Sequence, residues 1–274
     1  MIIDSHQHFW KFNPVRDKWI DDAMQVIRKD FLPKDLKPIL ETNNVDGCIA
    51  VQADQSEKET QFLLDLAAKN EFIKGIVGWV DLSAENVESR LAFFSKNSKF
   101  KGVRHIVQLE PNGFMLNRSF QHGISKLNQF GLTYDILIGP YQLLEAIELV
   151  AKFPNQKFVL DHIGKPNISK GVAIKWKKEI QELAQHHNVF CKLSGMTTET
   201  NEYKWEEEHF FPFIDIITDS FGSERIMYGS DWPVCLLASS YTRQFNIINQ
   251  YINRAFNNIS EKIMGLNAMH FYNI

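Results

Sequence analysis

Eight short apolar segments recur along this chain, and each ends in polar or chemically reactive residues. They are IIDSHQH (2–8), VDGCIAVQA (45–53), IKGIVGWVD (73–81), GVRHIV (102–107), LTYDILI (132–138), KFVLDHIG (157–164), VFCKLSG (189–195) and RIMYGSDW (225–232). Segments that are apolar nearly throughout are typical of strands buried on both faces, as in parallel sheets. The spacing of these segments limits the fold more than any single motif does.

Segments with the periodicity of amphipathic helices lie between the apolar runs. Residues 59–70, 141–153 and 175–187 each place apolar side chains three or four positions apart. Strands that alternate with helices predict a parallel sheet covered by helices. Eight such units in 274 residues favour a (β/α)8 TIM barrel, in a single domain spanning 1–274. No glycine-rich GxGxxG follows a predicted strand, which argues against a dinucleotide-binding fold.

Composition and charge narrow the range of partners. A net charge of −3 gives no electrostatic reason to expect nucleic acid or an anionic membrane, and no segment has the length of apolar sequence that a membrane helix needs. The three cysteines, Cys48, Cys191 and Cys235, are far apart in apolar surroundings, which predicts reduced core thiols and a cytoplasmic protein. We expect a small-molecule substrate. No apolar stripe marks an interface, so a homo-oligomer is left open.

The polar ends of the apolar segments contain the candidate site. Residues i and i+2 of a strand point to the same face, so His6 and His8 are expected to project two imidazoles in parallel. Asp231 closes the last segment, where a carboxylate beside histidines can accept a proton from water. Its alternative role is to cap the helix that follows Pro233. Because strand ends of a barrel meet at one mouth, we predict that these side chains converge.

The sequence alone leaves three assignments open: two side-chain directions and the role of Lys192. Alternation allows one of Arg104 and His105 to face inward, and Arg104 is preferred. The same choice applies to Asp161 and His162, and there His162 is preferred. Lys192 is either a functional residue or a surface lysine whose stem lies along apolar groups.

Motifs along the whole chain resemble the amidohydrolase superfamily, and within it the lactonase branch of the amidohydrolase-2 type. The supporting stretches are DSHQHFW (4–10), the segment around IRKDFLPKDL (27–36), GVRH (102–105), LDHIGKP (160–166), KLSG (192–195), YGSDWPV (228–234) and IMGLNAMHFY (263–272). Their order and extent make the resemblance more specific than the His-x-His pair alone. The resemblance implies a (β/α)8 barrel that hydrolyses a sugar-acid lactone, an aldonolactone similar to L-fuconolactone.

The resemblance also implies a metal site with one ion rather than two. Two-metal members are expected to carry a bridging lysine or glutamate after the fourth strand and a histidine on the fifth, and GVRH and LTYDILI lack these. Two interpretations of His6, His8, His162 and Asp231 stay open. In one they hold a single divalent ion such as zinc, which is not strictly required for the reaction; in the other they work without metal, as hydrogen-bond donors and a general base.

The implied catalytic residues are Asp231 as general base and His162 and Arg104 as groups that stabilise the developing oxyanion. Long connections after the first and seventh strands, residues 9–35 and 196–212, are expected to shape the site. The candidate substrate-binding residues are His6, His8, Gln52, Arg28, Lys165 and Trp10.

Two other functions remain as alternatives. The first is a zinc-dependent non-oxidative decarboxylase of the same superfamily, which would need a firmly held metal. The second is a barrel that binds a sugar acid without turnover, and the presence of Asp231 with the paired histidines argues against it.

Overall fold

The computed structural model describes residues 1–255 and 260–274. Its eight strands form one parallel sheet in the order of the sequence, and each strand pairs with the next. Their bounds are β1 Ile3–Gln7, β2 Gly47–Val51, β3 Ile73–Gly78, β4 Phe100–Ile106, β5 Thr133–Leu137, β6 Phe158–Leu160, β7 Val189–Leu193 and β8 Ile226–Tyr228. All eight lie within or overlap the predicted segments, which confirms the barrel.

A helix follows each strand and packs outside the sheet. The helices are α1 Pro33–Thr42, α2 Glu57–Lys69, α3 Val87–Phe94, α4 Arg118–Leu127, α5 Leu143–Lys152, α6 Ile174–Leu183, α7 Phe211–Phe221, α8 Tyr241–Ala255 and the additional α9 Asn267–Tyr272. Each helix buries its apolar face against the strands. Leu63 of α2 and Leu183 of α6 are examples, because both side chains are fully buried. In the part of the chain that the structure describes, no helix is both long and apolar enough to cross a membrane.

The barrel closes where β8 meets β1. The amide of Asp231 donates to the carbonyl of His6 at 2.8 Å, and the amide of His8 donates to the carbonyl of Trp232 at 2.6 Å. These backbone bonds lie at the carboxyl end of both strands, the end at which barrel enzymes carry their active sites. Closure of the ring therefore places the motif DSHQHFW (4–10) beside YGSDWPV (228–234).

The three cysteines are buried and unpaired, as expected of core thiols. Cys191 illustrates their environment, because burial raises the pKa of its thiol above the ordinary range. A thiol of this kind packs as a small apolar group.

Candidate active site

The paired imidazoles and the distant carboxylate share one cluster. His6 Nε2 lies 3.3 Å from His8 Nε2, and His8 Nε2 lies 3.2 Å from Asp231 Oδ1. The distance from His6 Nε2 to Asp231 Oδ1 is 3.8 Å, and that from His162 Nε2 to the same oxygen is 4.0 Å. All four side chains are buried at the carboxyl end of the barrel. Three of the four predicted ligands, His6, His8 and Asp231, thus have ligand atoms within 4.8 Å of one another, and His162 lies beside them.

Hydrogen bonds and burial determine which nitrogen and oxygen atoms of this cluster are available to bind an ion. His8 Nδ1 lies 2.8 Å from the carbonyl oxygen of Val51, so this nitrogen donates and Nε2 carries the lone pair. Burial lowers the pKa of His162 to about 4, which leaves its imidazole neutral. Burial by itself would raise the pKa of the Asp231 carboxyl, but the neighbouring imidazoles, His162 first, hold that pKa well below its ordinary range. The cluster is therefore rich in electron pairs and carries a negative charge.

These donor atoms fit a single divalent ion. Zinc accepts imidazole nitrogen and carboxylate oxygen at about 2.0–2.2 Å in a tetrahedral arrangement, which places neighbouring ligand atoms about 3.3 Å apart. The separations among His6 Nε2, His8 Nε2 and Asp231 Oδ1 are 3.3, 3.2 and 3.8 Å. Two nitrogens and one oxygen at this spacing leave a further position for water or substrate.

Arg104 and His105 lie on opposite faces of β4. Arg104 Nη1 approaches His6 Nε2 at 3.2 Å, and its Nη2 donates to the carbonyl of Gln52. His105 faces the helices instead, where its Nε2 lies 2.9 Å from Glu110 Oε1. Strand alternation accounts for the difference, and it makes Arg104 the member of the pair that reaches the cavity.

Asp161 and His162, by contrast, both point toward the barrel interior. The expectation that one of them must face outward is wrong, because β6 ends at Leu160 and the chain turns into a short 3₁₀ segment. His162 and Ile163 have φ values of 54° and 51°, in the left-handed region, and alternation does not apply there. Gly195 makes room for this turn, since a Cβ at that position would lie 2.5 Å from His162 Nδ1.

Lys192 is a barrel-interior residue, so the surface interpretation is wrong. Its ammonium nitrogen lies 2.5 Å from Asp135 Oδ2 and 3.0 Å from Asp161 Oδ1, and all three side chains have no exposed area. Sequence reasoning missed Asp135 and Asp161 as partners of Lys192. The signal that could have found them is a charged residue in the middle of an apolar segment, since a buried charge requires a partner.

A cavity of about 290 Å³ opens above the cluster. Its polar floor is formed by His8, Arg104, His162 and Asp231. The apolar part of its wall is formed by Trp19, Met24, Ile106, Leu109, Leu137, Val234 and Leu237. At the rim the predicted Lys165 pairs with Glu199 at 2.6 Å, and both side chains line the cavity.

Four of the six predicted substrate-binding residues lie outside the cavity lining: His6 belongs to the cluster beneath it, and the other three are Trp10, Arg28 and Gln52. Trp10 packs against Phe31 and donates from Nε1 to the carbonyl of Lys29. Arg28 pairs with Asp22. Neither side chain lines the cavity, because the loop after β1 folds back and uses both for its own packing, so their assignment to the substrate stays a prediction.

Gln52 is the third of these residues, and it lies beneath Arg104. Its Nε2 donates to the Arg104 carbonyl at 3.2 Å, and its side-chain oxygen lies 3.3 Å from Arg104 Nη2. Gln52 therefore orients the guanidinium from below rather than reaching the cavity.

The fold and the cavity define a (β/α)8-barrel enzyme whose carboxylate, imidazoles and guanidinium suit the activation of water and the stabilisation of an anion. Residues 3–274 match the amidohydrolase family, and the chain belongs to it. Two L-fucono-1,5-lactonases are similar in sequence: that of Burkholderia ambifaria is 32% identical over 99% of this chain and 95% of its own length, and that of Burkholderia multivorans is 35% identical over 91% and 88%. A crystal structure of an amidohydrolase from Burkholderia multivorans with bound zinc superposes with a TM-score of 0.97 at 34% identity, over 100% of this chain and 99% of the other.

Proposed function

We propose that this protein hydrolyses a sugar-acid lactone of the L-fucono-1,5-lactone type. The observation that carries the proposal is the convergence of Asp231, two imidazoles and Arg104 on the floor of one cavity. The similarity to two L-fucono-1,5-lactonases over nearly the whole chain supports the same substrate class.

Asp231 is the proposed general base. A water molecule above the floor gives a proton to the Asp231 carboxylate as its oxygen attacks the lactone carbonyl carbon. Arg104 and His162 line the same floor and stabilise the negative charge that develops on the carbonyl oxygen. The ring C–O bond then breaks, and the proton held by Asp231 passes to the leaving alkoxide. The product is the open-chain sugar acid.

We propose that His6, His8 and Asp231 hold a single zinc ion, with His162 beside them. A bound zinc ion supplies a Lewis acid that polarises a carbonyl and lowers the pKa of water. The structure of a relative with bound zinc supports this choice of ion.

The cavity wall suits a deoxy sugar. Apolar side chains such as Met24, Leu137 and Val234 can contact a methyl group, whereas the Lys165–Glu199 pair at the rim offers a donor and an acceptor to hydroxyls. The cavity volume of about 290 Å³ is close to the lower end of the roughly 300–1,000 Å³ typical of small-molecule sites.

A panel of aldonolactones with a pH indicator tests the proposed function, because ring opening releases a proton. We expect hydrolysis of 1,5-lactones of 6-deoxy sugar acids, faster than that of lactones with a terminal hydroxymethyl group. Parallel reactions after chelation measure how far the rate depends on the ion. A protein that opens none of the lactones but decarboxylates an aromatic acid in a chelator-sensitive way would support the decarboxylase alternative instead. Binding of lactones without turnover would support the non-catalytic one.

Arg104→Gln should lower kcat by about 10²–10³-fold, because it removes a charged donor aimed at the developing oxyanion. The matched control is His105→Gln, the same change one residue away on the opposite face of β4. Steady-state rates on the best lactone compare the two variants. Equal activity of both would show that Arg104 does not act on the transition state.

A further inference from the structure

We infer that Asp161 is a positioning residue that holds His6 in the tautomer whose Nε2 is free to bind an ion, while it also anchors Arg104. This inference rests on the ion site proposed above. It assigns a function to a buried carboxylate that lies outside the cavity lining and outside the proposed ligand set.

The contacts of Asp161 connect it to both residues. Its Oδ1 lies 3.3 Å from His6 Nδ1, and its Oδ2 accepts from Arg104 Nη1 at 3.1 Å. Lys192 Nζ lies 3.0 Å from Oδ1 and keeps an opposite charge beside the carboxylate. The side chain of Asp161 has no exposed area, so water does not substitute for these partners. A carboxylate that accepts from the outer nitrogen of a metal-binding histidine sets the orientation and the tautomer of that ring.

The two nitrogens of His6 face different neighbours. A guanidinium only donates, so Arg104 Nη1 at 3.2 Å from Nε2 favours a lone pair on Nε2 and a proton on Nδ1. The carboxylate oxygen nearest to that nitrogen is Asp161 Oδ1, at 3.3 Å, and among the described residues it has no hydrogen bond of good geometry to another group. Lys192 Nζ lies 3.1 Å from Nδ1 and also only donates, so it favours the opposite tautomer. Asp161 is the group that decides between them, because its Oδ1 lies 3.3 Å from Nδ1 and 3.0 Å from the ammonium nitrogen, within reach of both donors.

An amide cannot replace this carboxylate. Asparagine has one acceptor oxygen and one donor nitrogen. His6 and Lys192 face one carboxylate oxygen of residue 161 and Arg104 faces the other, so both positions require an acceptor. If the amide nitrogen faces His6, the ring shifts its proton to Nε2 and loses the lone pair that an ion needs. If it faces Arg104, two donors oppose each other and the guanidinium moves.

The test compares Asp161→Asn with Asp135→Asn. Asp135 is equally buried and shares Lys192, but among the described residues its carboxylate contacts Lys192 and Tyr272 rather than His6 or Arg104. Zinc affinity is measured by competition with a chromogenic chelator on metal-free protein. We expect Asp161→Asn to bind zinc about 10–100-fold more weakly than wild type, and Asp135→Asn to bind it nearly as well as wild type. The ¹⁵N shifts of the His6 ring should show Nδ1 protonated in metal-free wild type.

Several results would overturn the inference. They are equal losses of zinc affinity in both variants, unchanged affinity in Asp161→Asn, a wild-type protein that binds no zinc, or a wild-type His6 protonated on Nε2. The last measurement decides the matter even if Asp161→Asn does not fold. A wild-type protein that binds zinc in an Asp161-dependent way but opens no lactone would contradict the proposed function and leave the inference intact.

Discussion

Replacing Asp231 by Asn is expected to lower kcat for the best lactone by about 10³–10⁴-fold and to leave substrate affinity largely unchanged. The amide keeps the size and polarity of the side chain but cannot accept a proton from water, and loss of a general base is worth about 10²–10⁴-fold. Loss of a negatively charged ligand from the proposed ion site adds to the effect, since Asp231 Oδ1 lies 3.2 Å from His8 Nε2. Pre-steady-state turnover and a separate binding titration of the sugar-acid product distinguish kcat from affinity.

Asp54→Asn is the matched control for this experiment. Asp54 follows β2 at the same end of the barrel, where it accepts from the Ser56 hydroxyl at 2.6 Å, outside the cavity lining. We expect this variant to keep nearly the full wild-type rate. A kcat for Asp231→Asn within tenfold of wild type would rule out Asp231 as the base.

The second large effect is on stability. Lys192→Met should lower the free energy of unfolding by about 3–5 kcal/mol, because it leaves Asp135 and Asp161 buried without their ammonium partner. Urea titration at neutral pH measures the change. The exposed pair of Lys204 with Glu202 provides the control, and Lys204→Met should change the same free energy by less than about 0.5 kcal/mol.

A double variant separates charge from packing in this result. Burial raises the pKa of Asp135 to about 6. Of the two carboxyls beside Lys192, Asp135 is therefore the one whose negative charge destabilises the folded state more. In Lys192→Met with Asp135→Asn, only Asp161 remains charged, and Arg104 still pairs with it at 3.1 Å. We expect the double variant to recover much of the lost stability. A double variant no more stable than Lys192→Met would show that the loss comes from packing.

The architecture could be predicted from the sequence because its causes are local. Apolar segments of strand length, helical periodicity between them and polar residues at their ends indicate a (β/α)8 barrel without any knowledge of long-range contacts. The i, i+2 relation at the end of β1 predicted two imidazoles on one face. The structure has their Nε2 atoms 3.3 Å apart, but the ring planes cross at 81° rather than lying parallel. Alternation also predicted that one of Arg104 and His105 faces inward, which holds because β4 is extended through both residues, and the structure identifies that residue as the preferred Arg104.

Local reasoning failed where the backbone leaves the strand. At the end of β6, His162 adopts a left-handed conformation, so both Asp161 and His162 turn inward. Trp10 and Arg28 lie in the loop after β1, whose path depends on packing against Phe31 and on the pair with Asp22. Such loops have no periodicity from which a side-chain direction can be read.

The sequence by itself determined the class of fold, the strand ends that carry the chemistry and the kinds of group available there. The tertiary structure decided which of those groups meet, above all the buried contact of Lys192 with Asp135 and Asp161 and the approach of Asp231 to His8. The physical reason is the sequence separation of the residues that make each contact. Helix and strand patterns arise between residues a few positions apart, whereas closure of the ring and the pairing of buried charges depend on residues far apart in the chain, which meet only when all eight strands are in place.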